Sequence, residues 1–186
     1  RIIRVAGAIA EAQPLWDAAL YELVEVGELR LLGEVIRIQG DVATIQVFEE
    51  TSGLGLDEPV HRTGSSLMTQ LGPGLLGSII DGIGRPLQGL AERSGDFMAP
   101  GMTLPTLDPE TRWSFVPTVE PGTAVSGGDV LGEIEERPGM KHRVLVPPGL
   151  EGRVADIQKG AFTVSDTVAT LENGTTLSLS HSWAIR

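Results

Sequence analysis

LGPGLLGSIIDGIGRPL, residues 71–87, is the stretch around which the chain is organised. It is rich in glycine, punctuated by Pro73 and Pro86, and apolar between its turns. The sequence before it reads as one small β domain and the sequence after it as another. Working outward, the reading divides the chain into a β-barrel over residues 1–72, a connecting segment and linker over 73–112, and a second β domain over 113–186. The fold class expected is mainly β. The 24 glycines and 12 prolines favour short strands with tight turns. A length of 186 residues suits one or two domains.

Before residue 71, Ile2, Ile3, Val5, Ala8 and Ile9 read as a first strand. Ala10 to Ala19 is either a loop or one helical turn around Trp16. Tyr21–Val26 is a second strand, and Gly27-Glu28 a turn. Leu31–Ile38 and Val42–Phe48 flank Gly40-Asp41 as a hairpin, with Ala43, Ile45 and Val47 sharing one face. Pro59–Arg62 and Ser66–Leu71 are expected to be closing strands. With no helix to cover them, these strands solve their edge problem most simply by closing into a barrel. Leu75–Ile80 has the composition of a short helix, Leu87–Arg93 of one more helical turn, and Ser94–Arg112, with Pro100, Pro105 and Pro109, of an extended linker.

A different pattern begins at Trp113. Val119–Val125 and Gly128–Glu135 form one half, which residues 157–172 echo at similar offsets across Val144–Val154. Asn173-Gly174 is a hairpin turn between Val168–Leu171 and Leu177–Leu179. Trp113, Phe115 and Trp183 stand at the two ends of this domain and are expected to pack together.

Charge and composition exclude several function classes. The chain holds 14 Lys and Arg against 25 Asp and Glu, a formal charge of −11. Such a surface does not suit nucleic acid, whose phosphates need basic groups, nor an anionic membrane surface; it reads as a means of solubility. There are no cysteines, hence no disulfide framework or thiolate metal site, which fits an intracellular protein. No apolar run approaches the ~20 residues needed to span a bilayer. The N-terminus is broken by Gly7 and Glu11 and does not read as a signal peptide. It carries no initiating Met, so it is expected to be processed or an excerpt.

No catalytic, cofactor-binding or metal-binding residue is expected in this chain. Gly72-Pro-Gly74-Leu-Leu-Gly77 matches G-x-G-x-x-G, with Asp96 about 20 residues on. However, Pro73 removes an amide donor where a phosphate would sit, and no βαβ unit follows. The pattern G-x-x-x-x-G-K-[ST] is absent, and the two lysines, Lys141 and Lys159, follow Met140 and Gln158. His61, His142 and His181 are scattered and lack Cys partners. Asp81 and Arg85 read as an exposed structural pair worth about 0–1 kcal/mol. Glu135-Glu136 reads as a solvated face, and Asn173-Gly174-Thr175, a glycosylation sequon by letter, as a turn.

The segment LGPGLLGSIIDGI…RPL resembles the one that follows the N-terminal barrel in the catalytic A subunit of V/A-type rotary ATPases. GEVIRIQGDVATIQVFEETSGL at 33–54 and VLVPPGLEGRV at 144–154 match the same family in order. The resemblance implies that residues 113–186 are the bulge domain, similar to the barrel-sandwich hybrid of lipoyl and biotinyl carriers. It implies that this chain is a part of that subunit without its nucleotide-binding domain, and so inactive alone, whereas the complete subunit uses Mg-ATP for hydrolysis or synthesis coupled to proton or sodium transport. Expected partners are the B subunits and other A subunits of the head, through a crown of barrels, and the peripheral-stalk heterodimer, through the bulge. The expected location is cytoplasmic, peripheral to the membrane, without direct insertion. Gly84 departs from the family pattern, which has Gln there. A second reading, from the partial biotin motif Gly139-Met140-Lys141, is a biotinyl- or lipoyl-type carrier with Lys141 as the attachment point.

Overall fold

The computed structural model describes residues 1–95 and 99–185. They form two compact units. The first comprises residues 1–69, 80–104 and 184–186; the second comprises 70–79 and 105–183. These units cut across the three ranges drawn from the sequence, because the 73–112 segment is shared between them rather than standing free.

In the first unit, β1 (Ile2–Ala6), β2 (Ile9–Ala12), β3 (Glu22–Val26), β4 (Leu31–Gln39), β5 (Val42–Val47) and β6 (Val60–Ser66) form one antiparallel sheet in the order β1-β2-β5-β4-β3-β6. The expected first strand is thus two, because Gly7, at φ +58°, turns the chain back on itself. Two backbone hydrogen bonds close the sheet: Ile2 donates to Glu58 at 2.9 Å and accepts from Asp57 at 2.9 Å. The β4–β5 hairpin is as read, with Gly40 at φ +64° in its turn. Its alternation delivers Ala43, Ile45 and Val47 to the interior, where they meet Val24, Val26, Leu31 and Val35.

β7 (Met68–Leu71) does not join this sheet as a closing strand; it pairs with β16 (His181–Ala184). The expected helix at 75–80 is also absent. Gly74 and Gly77 lie at φ +104° and +82°, which breaks any helical run, and Leu75–Ser78 is a turn. The helix of the connecting segment is α1 (Leu87–Ser94), close to the second helical turn read there. It follows Pro86 and ends at Gly95, whose φ of +68° lets its amide bond back to Ala91.

The second unit is built from β8 (Trp113–Pro117), β9 (Ala124–Ser126), β10 (Val130–Arg137), β11 (Met140–Leu145), β12 (Glu151–Ile157), β13 (Gly160–Phe162), β14 (Thr167–Leu171) and β15 (Thr176–Ser178). Its two sheets run β11-β10-β8-β13 and β15-β14-β12-β9. Advancing β8–β11 by four and setting β12–β15 back by four converts one order into the other, so the halves β8–β11 and β12–β15 are related and exchange one strand. The half-repeat read in the sequence is therefore a structural duplication. Its turns are built alike: Asp129 accepts the Ser126 amide at 2.8 Å, and Asp166 accepts the Thr163 amide at 2.8 Å. Thr118 and Gln158 donate to the carbonyls of Leu131 and Val168, both at 2.9 Å.

The core of this unit centres on Phe115, fully buried, with Leu131, Ile134, Val154, Val168 and Leu171 around it. Phe115 meets Phe162 edge to face, with ring centroids 6.5 Å apart. Trp183 instead meets His181 and is half exposed, so the three aromatics at the domain ends do not form one cluster. Gly132 on β10 makes room for the Phe115 ring: a Cβ there would lie 2.4 Å from it and 2.6 Å from the Val116 carbonyl. Gly132→Ala is accordingly expected to cost about 1–3 kcal/mol by overpacking. Gly82→Ala, where a Cβ meets nothing within 4 Å, is expected to stay within about 0.5 kcal/mol. Urea unfolding of both variants tests the difference.

Candidate functional site

The glycine-rich stretch 72–77 forms an irregular turn in the second unit. Glu136 of β10 holds it by accepting the Gly74 amide at 2.7 Å and the Leu76 amide at 3.3 Å. Arg137 adds a bond to the Leu76 carbonyl at 2.7 Å. The amides that a phosphate would need are thus turned toward a carboxylate. Asp96, the acidic residue at the spacing of a dinucleotide motif, lies outside the described residues.

In the first unit, Asp81 and Arg85 are not the exposed pair read from the sequence. The Arg85 residue is only 7% exposed. Asp81 caps its own turn: one carboxylate oxygen accepts the amides of Ile83 and Arg85 at 3.1 and 2.9 Å, the other accepts Arg85 Nε at 2.8 Å. Arg85 also donates to the Met102 carbonyl and lies 3.6 Å from Glu49, which in turn accepts the Gly101 amide. Burial works against ionisation of Asp81, but these bonds from Arg85 and Ile83 outweigh it and hold its pKa below the ordinary value. Nothing local to residues 81–85 in the sequence shows that Glu49 and residues 101–102 come to cover them. Gly84 has φ +85°, so glycine fits the turn without backbone strain.

Beside this turn lies a cavity of about 410 Å³, lined by Glu34, Gln46, Phe48, Leu67, Asp81 and Arg85 among others. Its carboxylates, and an arginine already bonded to one of them, make it unsuited to a phosphate ligand.

Lys141 lies on β11 just past the β10–β11 hairpin tip, inside the first half rather than between the halves. Its ammonium bonds Glu133 at 2.6 Å, and that bond holds its pKa above the ordinary range. A lysine set in a strand within one half, and not at a turn between the halves, does not match the carrier arrangement, so the geometry does not favour the carrier reading. Among the described residues no three His, Asp or Glu side chains are grouped to hold a metal ion. No helix among them is long and apolar enough to cross a membrane.

One feature escaped the sequence reading. The β2–β3 loop of the first unit exposes Trp16 by 72%, together with Leu20 and Tyr21. The loop is anchored by Glu22, which is almost wholly buried and accepts the Ala19 and Gly64 amides and two nitrogens of Arg62. Asp17 pairs with the same guanidinium. Burial raises the Glu22 pKa, but Arg62 and the amides prevail and the net shift is downward. An apolar run in the loop was visible; that its rings stay outside was not.

Asp81 stabilises the fold fully above its ordinary pKa of 3.8, and this contribution is lost as pH falls through the lowered folded value. Asp81→Asn is therefore expected to flatten the acid limb of the stability–pH curve below about pH 4. It is also expected to cost about 2–3 kcal/mol at pH 7, because the buried Arg85 charge loses its nearest carboxylate and keeps only Glu49, 3.6 Å away. Urea unfolding from pH 3 to pH 7 measures both effects.

The family signature described as ATP synthase alpha/beta family, beta-barrel domain matches residues 2–64, and the ATPsynthase alpha/beta subunit barrel-sandwich domain matches residues 104–186. A V-type ATP synthase alpha chain from Anaeromyxobacter dehalogenans is 51% identical across 100% of this chain and 32% of its own length. The A subunit of an A-type ATP synthase from Desulfurococcus sp. is 47% identical across 100% of this chain and 33% of its own. A weaker likeness, with 27% identity over 68% of this chain and 30% of the other and a TM-score of 0.44, is to the assembled ATPase EscN in complex with its central stalk EscO from enteropathogenic E. coli. The chain spans about a third of the length of these curated relatives. With the closed barrel and the strand-exchanged second unit in place, the chain belongs to the ATP synthase alpha/beta family, carrying the β-barrel and barrel-sandwich domains found in V-type alpha chains and in the A subunits of A-type enzymes.

Proposed function

We propose that this chain is a structural and assembly part of the catalytic A subunit of a V/A-type ATPase. In this reading its barrel joins the crown formed with the B subunits and other A subunits, and its barrel-sandwich domain contacts the peripheral-stalk heterodimer. The observation that carries the proposal is the presence of both domains in one chain, at 47–51% identity to subunits of that type over its whole length. The physical character of the units agrees with it. Closed or strand-exchanged β modules are stiff, and a part that transmits load needs no reactive group. Under this proposal Mg-ATP is bound and hydrolysed, or made, by other parts of the complete subunit. The chain itself holds no cofactor and lies peripheral to the membrane, on its cytoplasmic side.

Calorimetric titration of the 186-residue chain with the peripheral-stalk heterodimer, with the B subunit and with Mg-ATP tests this reading. Saturable binding to the stalk or the B subunit, and no heat with Mg-ATP, is the expected result. Stoichiometric Mg-ATP binding, or silence toward both proteins, overturns it.

The exposed Trp16, Leu20 and Tyr21 are apt for the barrel contact, since large aromatics dominate interface energetics. Trp16→Ala is expected to weaken B-subunit binding by at least about tenfold while leaving the melting temperature unchanged, since the side chain contributes little to the core.

A further inference from the structure

The Glu136 side chain is only 3% exposed, and its two oxygens are used unequally. Oε1 accepts both amides of the 74–76 turn, whereas Oε2 has no hydrogen-bond partner among the described residues. The group nearest in charge terms is His142 of β11, whose Nδ1 lies 3.5 Å from Oε2, too far for a good hydrogen bond. His142 lies opposite Ile134 in the β10–β11 ladder, which puts it on the face of the sheet that carries the core. The other charged or titratable group acting on it is His181 of β16. Glu136 and His142, from neighbouring strands, thus sit together where the turn is fastened, with His181 within electrostatic reach of His142.

We propose that Glu136 and His142 form an acid-sensitive latch: it holds the 74–76 turn on the barrel-sandwich domain while the His142 imidazole is neutral and loosens it when that ring takes up a proton. With His142 neutral, the carboxylate is free to serve the Gly74 and Leu76 amides. Protonated His142 becomes a charged donor beside a carboxylate oxygen that has no other partner among the described residues. It competes for the same side chain and draws it away from the amides. A proton on His181 opposes one on His142.

The direction follows from the surroundings. Burial, opposed by the Glu136 carboxylate and reinforced by His181, keeps His142 below its ordinary value of 6.5. Burial does the same for His181. A histidine with a lowered folded pKa favours the folded form, in which the turn is docked, fully above the ordinary value and disfavours it as pH falls below that value. The latch is therefore closed at neutral pH and loosens in mild acid.

Heteronuclear NMR of the 186-residue chain between about pH 7.5 and 5.0, the range in which histidines titrate, tests the latch. The Gly74 and Leu76 amide shifts are expected to follow the midpoint of the His142 ring, and protection of the Leu76 amide from hydrogen exchange to fall at least about tenfold in acid. His142→Gln is expected to remove that dependence, and His181→Gln to raise the His142 midpoint. Turn amides that stay constant while the His142 ring titrates overturn the proposal. So do amides that move with a midpoint His142→Gln leaves unaltered. The comparison of ring and amide midpoints needs no variant, and so decides the matter even where a substitution impairs folding.

Discussion

Ile2 exchanges two backbone hydrogen bonds with Asp57 and Glu58, and the first unit depends on that closure. Short strands with no covering helix leave unpaired amides and carbonyls at every sheet edge, and an open edge invites pairing with other chains. Sealing β1 against the segment before β6 turns a six-stranded sheet into a barrel whose interior is filled by small and branched side chains. Glu58 reinforces the seam from the side by accepting the amides of Gly55 and Glu28 at 2.7 and 2.9 Å. The second unit meets the same constraint differently. Its two related halves exchange β9 and β13, so each sheet is completed by a strand of the other half. That exchange couples the halves, because neither sheet is complete without both.

The acidic residues take a larger part in this than their number suggests. The charge of −11 reads as solvation, yet Glu22, Glu58, Asp81, Glu136 and Asp166 all accept loop amides that lie outside the regular ladders. In a fold of short strands and many turns, backbone donors outnumber the places a ladder can satisfy them. A carboxylate with about four lone-pair sites is a compact acceptor for two or three at once. The carboxylates thereby fix loop positions, and one of them, Glu136, fastens the very turn whose glycines resemble a phosphate loop in sequence.

Much of the fold was legible because its signals are local. Period-two alternation gave the β4–β5 hairpin, Asn173-Gly174 gave the β14–β15 turn with Gly174 at φ +85°, and the repeated offsets of 119–135 and 157–172 gave the duplication. Errors arose where the answer depends on what arrives from elsewhere. The apolar letters of 75–80 have helical composition, but Gly74 and Gly77 adopt left-handed conformations and the segment is fastened by side chains some 60 residues away in sequence. Arg85 looks exposed from its neighbours and is buried by Glu49 and by residues 101–102. The loop around Trp16 was legible, but not that its ring stays exposed.

By itself, the sequence determined that the chain is mainly β, where most strands and turns fall, that its second domain is duplicated, and which family it resembles. Those properties depend on patterns a few residues long or on motifs kept in order. Only the tertiary structure decided how the barrel closes, which strands the halves exchange, and which carboxylates become buried anchors. It also decided that His142 faces Glu136 while Lys141, one residue away, bonds Glu133 near the outside. The physical reason is that a side chain's solvation, partners and charge state are set by groups distant in sequence, and the pairing of distant strands brings those groups together.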